Sequence, residues 1–109
     1  MNPDVNSPVA ATLELIGGKY KPLILWYLSD GMRRFSELKK MISSVTPKML
    51  TQQLRELEAQ KLIHREVFAV VPPKVEYSLT EMGKSLLPVI AAMRDWGAEY
   101  LQKKSKTEV

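Results

Sequence analysis

Apolar residues recur along the chain first at helical spacing and then in alternation, and the change of period outlines the fold. Val9, Thr12, Leu13 and Ile16 share one helical face after Pro8, and Gly17-Gly18 ends that segment. A second helix is expected from about Tyr20 to Ser29, with Pro22 in its first turn and Leu23, Ile24, Tyr27 and Leu28 facing inward; Asp30-Gly31 stops it. A short third helix covers about Ser36 to Ile42, with Leu38 and Ile42 on one side and Phe35 at the entry. After the tight connection Ser43-Ser44-Val45, Thr46 is a good N-cap and Pro47 a good first residue. The fourth helix that they open runs to about Gln60 on an inward stripe of Leu50, Leu54 and Leu57.

The period then shortens. Ile63 to Val71 and Lys74 to Leu79 read as two strands, with Val75, Tyr77 and Leu79 alternating on one face and Pro72-Pro73 at the hairpin tip. Thr80 caps a long last helix from about Glu81 to Lys103, in which Pro88 must produce a kink or a division. Two short helices joined by a tight turn and followed at once by a hairpin predict a winged helix-turn-helix, an α+β fold that is mostly α. The expected organisation is a single domain over 1–109, with an ordered core of about 7–102 and a loose tail over 103–109.

Composition narrows the chemistry. The 109 residues carry a net charge of +4, a mild excess that suits a polyanion without proving one. With no cysteine, the chain offers no disulfide, thiolate metal site or thiol redox chemistry. His64 is the single histidine, too little for a metal site, and no catalytic set stands out; no catalytic residue, metal or cofactor is expected. Gly17 to Lys19 lacks the spacing of a phosphate loop, and the six methionines read as core filler. The start lacks the pattern of a signal peptide and the apolar runs are too short to span a membrane, so a cytoplasmic location is expected. The terminal Lys106-Thr107-Glu108-Val109 looks like a PDZ ligand, a coincidence in a chain of this kind.

With the leucine stripe of the fourth helix turned inward, Lys48, Gln52, Arg55 and Ala59 point away from it, and Thr51 and Glu56 lie on the flanks. Glutamine can pair with an adenine edge, arginine with guanine, and threonine with a base edge or a thymine methyl. Lys48 is placed for a phosphate at the helix start. Thr46, Lys48, Thr51, Gln52 and Arg55 are therefore the candidate readers of double-stranded DNA, with Lys19, Arg34 and Lys74 as candidate backbone contacts. Lys21, Arg33, Lys39, Lys40 and Arg65 are further basic residues on or near this surface.

The last helix repeats Met82, Leu86, Val89, Met93, Trp96 and Tyr100 at spacings of three and four, broadened by Leu87, Ile90 and Leu101. A domain of this size covers only part of such a stripe. Leu13, Leu86, Val89, Ile90, Met93, Trp96 and Tyr100 are the candidate homodimer interface, with the N- and C-terminal helices as dimerisation elements. A ligand cavity between the last helix, the first helix and the partner subunit, lined by Trp26, Tyr27, Trp96 and Tyr100, is a lesser candidate, and no effector is identified.

Several blocks, in order, carry a family resemblance. They are Ile16-Gly17-Gly18-Lys19-Tyr20, Gly31 to Leu38, Lys48 to Glu58, Val71 to Thr80, and Trp96. Over about Ser7 to Trp96 the chain resembles the HxlR-type winged helix regulators of bacteria. The resemblance implies a homodimer that binds operator DNA as repressor or activator and responds to stress or metabolites, as members sensing electrophiles, oxidants or aldehydes do. Two positions depart from the family. Tyr20 stands where tryptophan is common, and Ser7 stands where many redox-sensing members place a cysteine. Either this member senses something else or Ser7 is a Cys-to-Ser variant that locks the reduced state. The function expected is a sequence-specific regulator on a pseudo-palindromic operator; the alternative is a winged helix used as a protein-interaction module without DNA binding.

Overall fold

The computed structural model describes residues 6–107; the first five residues and the Glu108-Val109 end of the terminal peptide lie outside them. The elements are α1 (Pro8–Ile16), α2 (Lys21–Tyr27), α3 (Phe35–Met41), α4 (Pro47–Ala59), β1 (Ile63–Phe68), β2 (Lys74–Leu79), α5 (Glu81–Ser85) and α6 (Leu87–Thr107). β1 and β2 form an antiparallel hairpin in the register Ile63↔Leu79 to Phe68↔Lys74. This is the winged helix-turn-helix order. α3, the Ser43-Val45 turn and α4 form the helix-turn-helix, and the hairpin forms the wing.

Several helix starts have a local side-chain cause. Ser7 caps α1 by accepting from the amide of Ala10 at 3.3 Å, and Thr46 caps α4 by accepting from Met49 at 3.1 Å. Glu37 accepts from the Arg34 amide at 2.8 Å, bracing the start of α3. α4 ends in a Schellman motif: Leu62 N donates to Leu57 O at 3.0 Å and Lys61 N to Glu58 O at 2.9 Å. Lys61 takes the left-handed position at φ 62°, where glycine is usual. Gly18, at φ 95°, turns the chain from α1 to α2.

Two bounds are corrected, and the expectation at Pro88 is resolved. β1 stops at Phe68 rather than Val71, because extending the register would pair Ala69 and Val70 with Pro73 and Pro72, which have no N–H to give. Of the kink or division expected at Pro88, the structure shows the division: α5 ends at Ser85, and Pro88 lies in the first turn of α6, where its missing donor costs little. α6 continues to Thr107, so the loose tail expected from Lys103 is helical as far as that residue. One feature was not foreseen. The backbone of Arg33 pairs with Tyr77 through two hydrogen bonds of 2.9 Å, adding a one-residue third strand to the edge of β2.

The core gathers where these elements meet. Ile24, Leu25, Leu38, Leu50, Leu57 and Leu62 are fully enclosed, with Val45, Leu54 and Ile63 nearly so. Tyr20 is buried too, and its hydroxyl donates to the Ser44 carbonyl at 3.3 Å, so the phenol at this position finds a partner inside the turn that leads into α4. Thr80 binds the end of α4 to the start of α5: its hydroxyl donates to Lys61 O at 2.7 Å, and its oxygen accepts from Gly83 N at 3.0 Å. A β-carbon on Gly83 would collide with the Leu62 carbonyl oxygen. Gly83→Ala is therefore expected to lower unfolding stability by about 1–3 kcal/mol, read as a lower urea midpoint.

Candidate nucleic-acid interface

The outer face of α4 carries Lys48, Gln52 and Arg55 exposed to solvent, with Thr51 half-buried beside them. These four border one shallow depression with Pro47 and Glu56. Thr51 and Arg55 also border a second cleft, whose other walls are Leu54 and Glu58 of α4, Arg65 of β1 and Tyr77 of β2. Helix and wing therefore share one continuous polar surface on which Lys48, Arg55 and Arg65 supply positive charge. Arg65 was only a secondary candidate. Its cross-strand partner is Tyr77, whose inward alternation was already visible, and cross-strand partners point to the same side of the sheet.

Hydrogen bonding refines what these side chains can offer. Thr46 is exposed, but its oxygen is engaged in capping. The Thr51 hydroxyl donates to Pro47 O at 2.8 Å, leaving its methyl and lone pairs for a partner. Lys19 is exposed and sits 5.5 Å from the centroid of the Tyr20 ring.

Arg34 and Lys74 lie elsewhere, around a cleft between the start of α3 and the wing that Arg33, Glu37 and Glu76 also line. Lys74 is not the free cation expected of the wing. Its Nζ is 2.9 Å from Glu76, which is only 8 % exposed, and 5.3 Å from the Phe68 ring centroid. A carboxylate so enclosed needs a counter-charge, and Lys74 supplies it. Arg33 is likewise committed within the protein, with Nε donating to Tyr27 O at 3.0 Å.

Lys21 departs most from expectation. It is 7 % exposed and does not face outward; its Nζ lies 2.9 Å from Glu56 Oε2, joining α2 to α4. Hydrogen bonds from Lys21 and Gln52, with the nearby ammonium charge, hold the Glu56 carboxyl below the usual glutamate range. Because the folded value is the lower one, the stabilisation from this pair is present above the ordinary glutamate range. It is lost as pH falls through the depressed value. A carboxyl carbon NMR titration is expected to show Glu56 protonating at unusually low pH, and Lys21→Met is expected to move that midpoint up.

A separate surface is apolar. Pro8, Val9, Leu13, Pro22, Val89 and Met93 line a groove of about 470 Å³ between α1 and α6. Leu13, Val89, Met93, Trp96 and Tyr100 are all exposed, and the Trp96 and Tyr100 rings stack at 5.4 Å with planes 10° apart. Two candidates differ. Ile90 is 5 % exposed and belongs to the domain's own core, and Leu86 is packed against that core. Trp26 and Tyr27 pack against the core as well, and neither lines the groove. His64 is exposed on β1, and among the described residues no group of His, Asp and Glu side chains is arranged to hold a metal ion. No helix among them is long and apolar enough to cross a membrane.

Comparison with known proteins agrees with this architecture. The HTH-type transcriptional regulator YdeP of Bacillus subtilis (strain 168) is 54% identical over 101 residues, 93% of this chain and 79% of that protein. The structure of the redox regulator HypR in its reduced form superposes with a TM-score of 0.86 at 48% identity, covering 92% of this chain and 99% of the other. The crystal structure of the HTH-type regulator ytcD gives 0.83 at 53% identity, covering 88% and 98%. The model of the HxlR-like helix-turn-helix family matches residues 15–105. From the capped α4 to the hairpin wing, and across nearly its whole described length, this chain belongs to the HxlR-like helix-turn-helix family of DNA-binding transcriptional regulators.

Proposed function

We propose that this regulator works as a homodimer on a pseudo-palindromic operator, each protomer placing α4 in the major groove of one half-site. The observation that carries this reading is the continuous polar surface of α4 and the wing cleft. Gln52 and Arg55 read base edges, Thr51 offers its methyl, and Lys48 meets a phosphate near the helix start. Arg65 meets the backbone from the wing. Thr46, Lys19 and Arg34 lie at the margins, and Lys74 contributes only by exchanging Glu76 for a phosphate. The groove face of α1 and α6, with Leu13, Val89, Met93, Trp96 and Tyr100, forms the two-fold interface. Regulation by stress or a metabolite proceeds without a thiol from this chain, since it contains no cysteine.

The alternative, a protein-interaction module without DNA binding, rests on the exposed aromatics of α6 and on Glu56 and Glu58 beside the reading face. Lys21 already balances Glu56, which weakens it. Selection of bound duplexes from a random pool tests the proposal. An enriched inverted repeat, with affinity falling steeply as salt rises, is expected. A folded protein that enriches nothing in the presence or absence of candidate aldehydes and quinones would overturn it.

A further inference from the structure

We propose that Lys21 and Glu56 are positioning residues for base recognition by Gln52, and that through this glutamine they set which base pair the regulator prefers. The inference rests on the reading of α4 as the recognition helix. It begins with the placement of Lys21. A lysine at the first position of a helix normally carries its ammonium to water along its flexible stem. This one is 7 % exposed and turned to α4, where Glu56 Oε2 lies 2.9 Å away. The other oxygen of the same carboxylate, Oε1, accepts from Gln52 Nε2 at 3.4 Å. One carboxylate thus joins a buried cation on α2 to the side chain at the centre of the candidate reading face.

The consequence for Gln52 is chemical. A glutamine on an open helix face has three rotatable bonds, and its terminal amide can present oxygen and nitrogen in either order. Next to an ionised carboxylate the two orders are unequal: one places N–H against Glu56, and the other places Oε1 against a carboxylate oxygen. Glu56 stays ionised, since Lys21 and Gln52 hold its carboxyl below the usual range. The amide order is therefore selected before DNA arrives. Glu56 occupies only one of the two amide hydrogens. The second hydrogen remains available, and with Oε1 it can supply the donor–acceptor pair that matches the N7 and N6 edge of adenine. Lys21 has a second effect, because it neutralises a carboxylate that would otherwise stand unbalanced next to a polyanion.

The test compares base preference, by selection from random duplexes, for the unaltered protein and for Q52A, E56A, K21M and the K21M/Q52A double variant. Q52A is expected to lose the preference at one base pair of each half-site. E56A and K21M are expected to reduce preference at that same base pair by about fivefold or more, with preferences elsewhere retained. K21M added to Q52A is expected to change base preference no further. Glu56 is part-exposed, so E56A keeps the test sound even if K21M folds poorly. Uniform weakening on all sequences, with the preferred base unchanged, would reduce the pair to a structural brace and overturn the inference. Unchanged preference in Q52A would overturn it by removing Gln52 as a reader, while the dimeric operator reading survives on the enriched repeat. Absence of any enriched repeat from the unaltered protein would instead overturn the operator reading itself.

Discussion

Replacing Gln52 and Arg55 together by alanine is expected to lower operator affinity by at least about a thousandfold and leave the fold intact. Each good bidentate contact to a base is worth about 1–3 kcal/mol of discrimination. A two-fold complex loses both contacts in both half-sites, so even the low end reaches about 4 kcal/mol, close to three decades in affinity. Both side chains are exposed on α4, away from its leucine stripe, so thermal unfolding should shift little. Fluorescence anisotropy with the selected duplex, at one fixed salt concentration, reads the first quantity, and circular dichroism melting reads the second. The residual binding should resemble binding to unrelated DNA, because the phosphate contacts proposed for Lys48 and Arg65 are left in place. A double variant within threefold of the unaltered protein would remove the outer face of α4 from the recognition surface.

How much of this surface was legible before the structure depends on how local its causes are. Thr46-Pro47 marked the start of α4 because capping chemistry is complete within a few residues. The leucine stripe then fixed which residues faced outward. The end of α4 carried no such mark, because Lys61 occupies a left-handed position in which glycine would have been the signal. The one-residue strand at Arg33 depends on a backbone meeting with Tyr77 that has no side-chain pattern. Lys21 and Lys74 were misplaced for a common reason. A lysine is read as a surface charge unless its partner is known, and Glu56 and Glu76 become partners only through tertiary packing or strand geometry. Neighbouring apolar residues posed the converse problem. Val89 and Ile90 both lie in the apolar stretch after Pro88, and packing of α6 on α2 decides that Ile90 turns inward while Val89 faces out. Arg94, one turn after Ile90, stays exposed but lies against α2, with its guanidinium 4.9 Å from the Trp26 ring centroid.

That division of α6 into two faces yields the second large expected effect: Trp96→Ala should raise the dimer dissociation constant by about a thousandfold, and Met93→Asp should leave a monomer. Trp96 is 68% exposed and stacked on Tyr100, which holds both rings ready for a partner at little further entropy cost. Interface tryptophans of this kind cost about 2 kcal/mol or more when truncated. Two-fold symmetry counts the loss twice, and about 4 kcal/mol corresponds to about three decades. Met93 lines the α1–α6 groove, about one helical turn before Trp96. A carboxylate there would be tolerated in the monomer, where the site is open to water, and strongly opposed in a dimer that excludes water. Sedimentation equilibrium across a concentration series distinguishes these states, and unfolding midpoints close to that of the unaltered protein would show that the protomer is intact. Monomeric Met93→Asp should also bind the selected inverted repeat only as weakly as a half-site, because two recognition helices no longer arrive on one particle. If both variants sediment as the unaltered protein does, the α1–α6 face is not the interface, and the proposed spacing of two α4 helices must be set by a different surface.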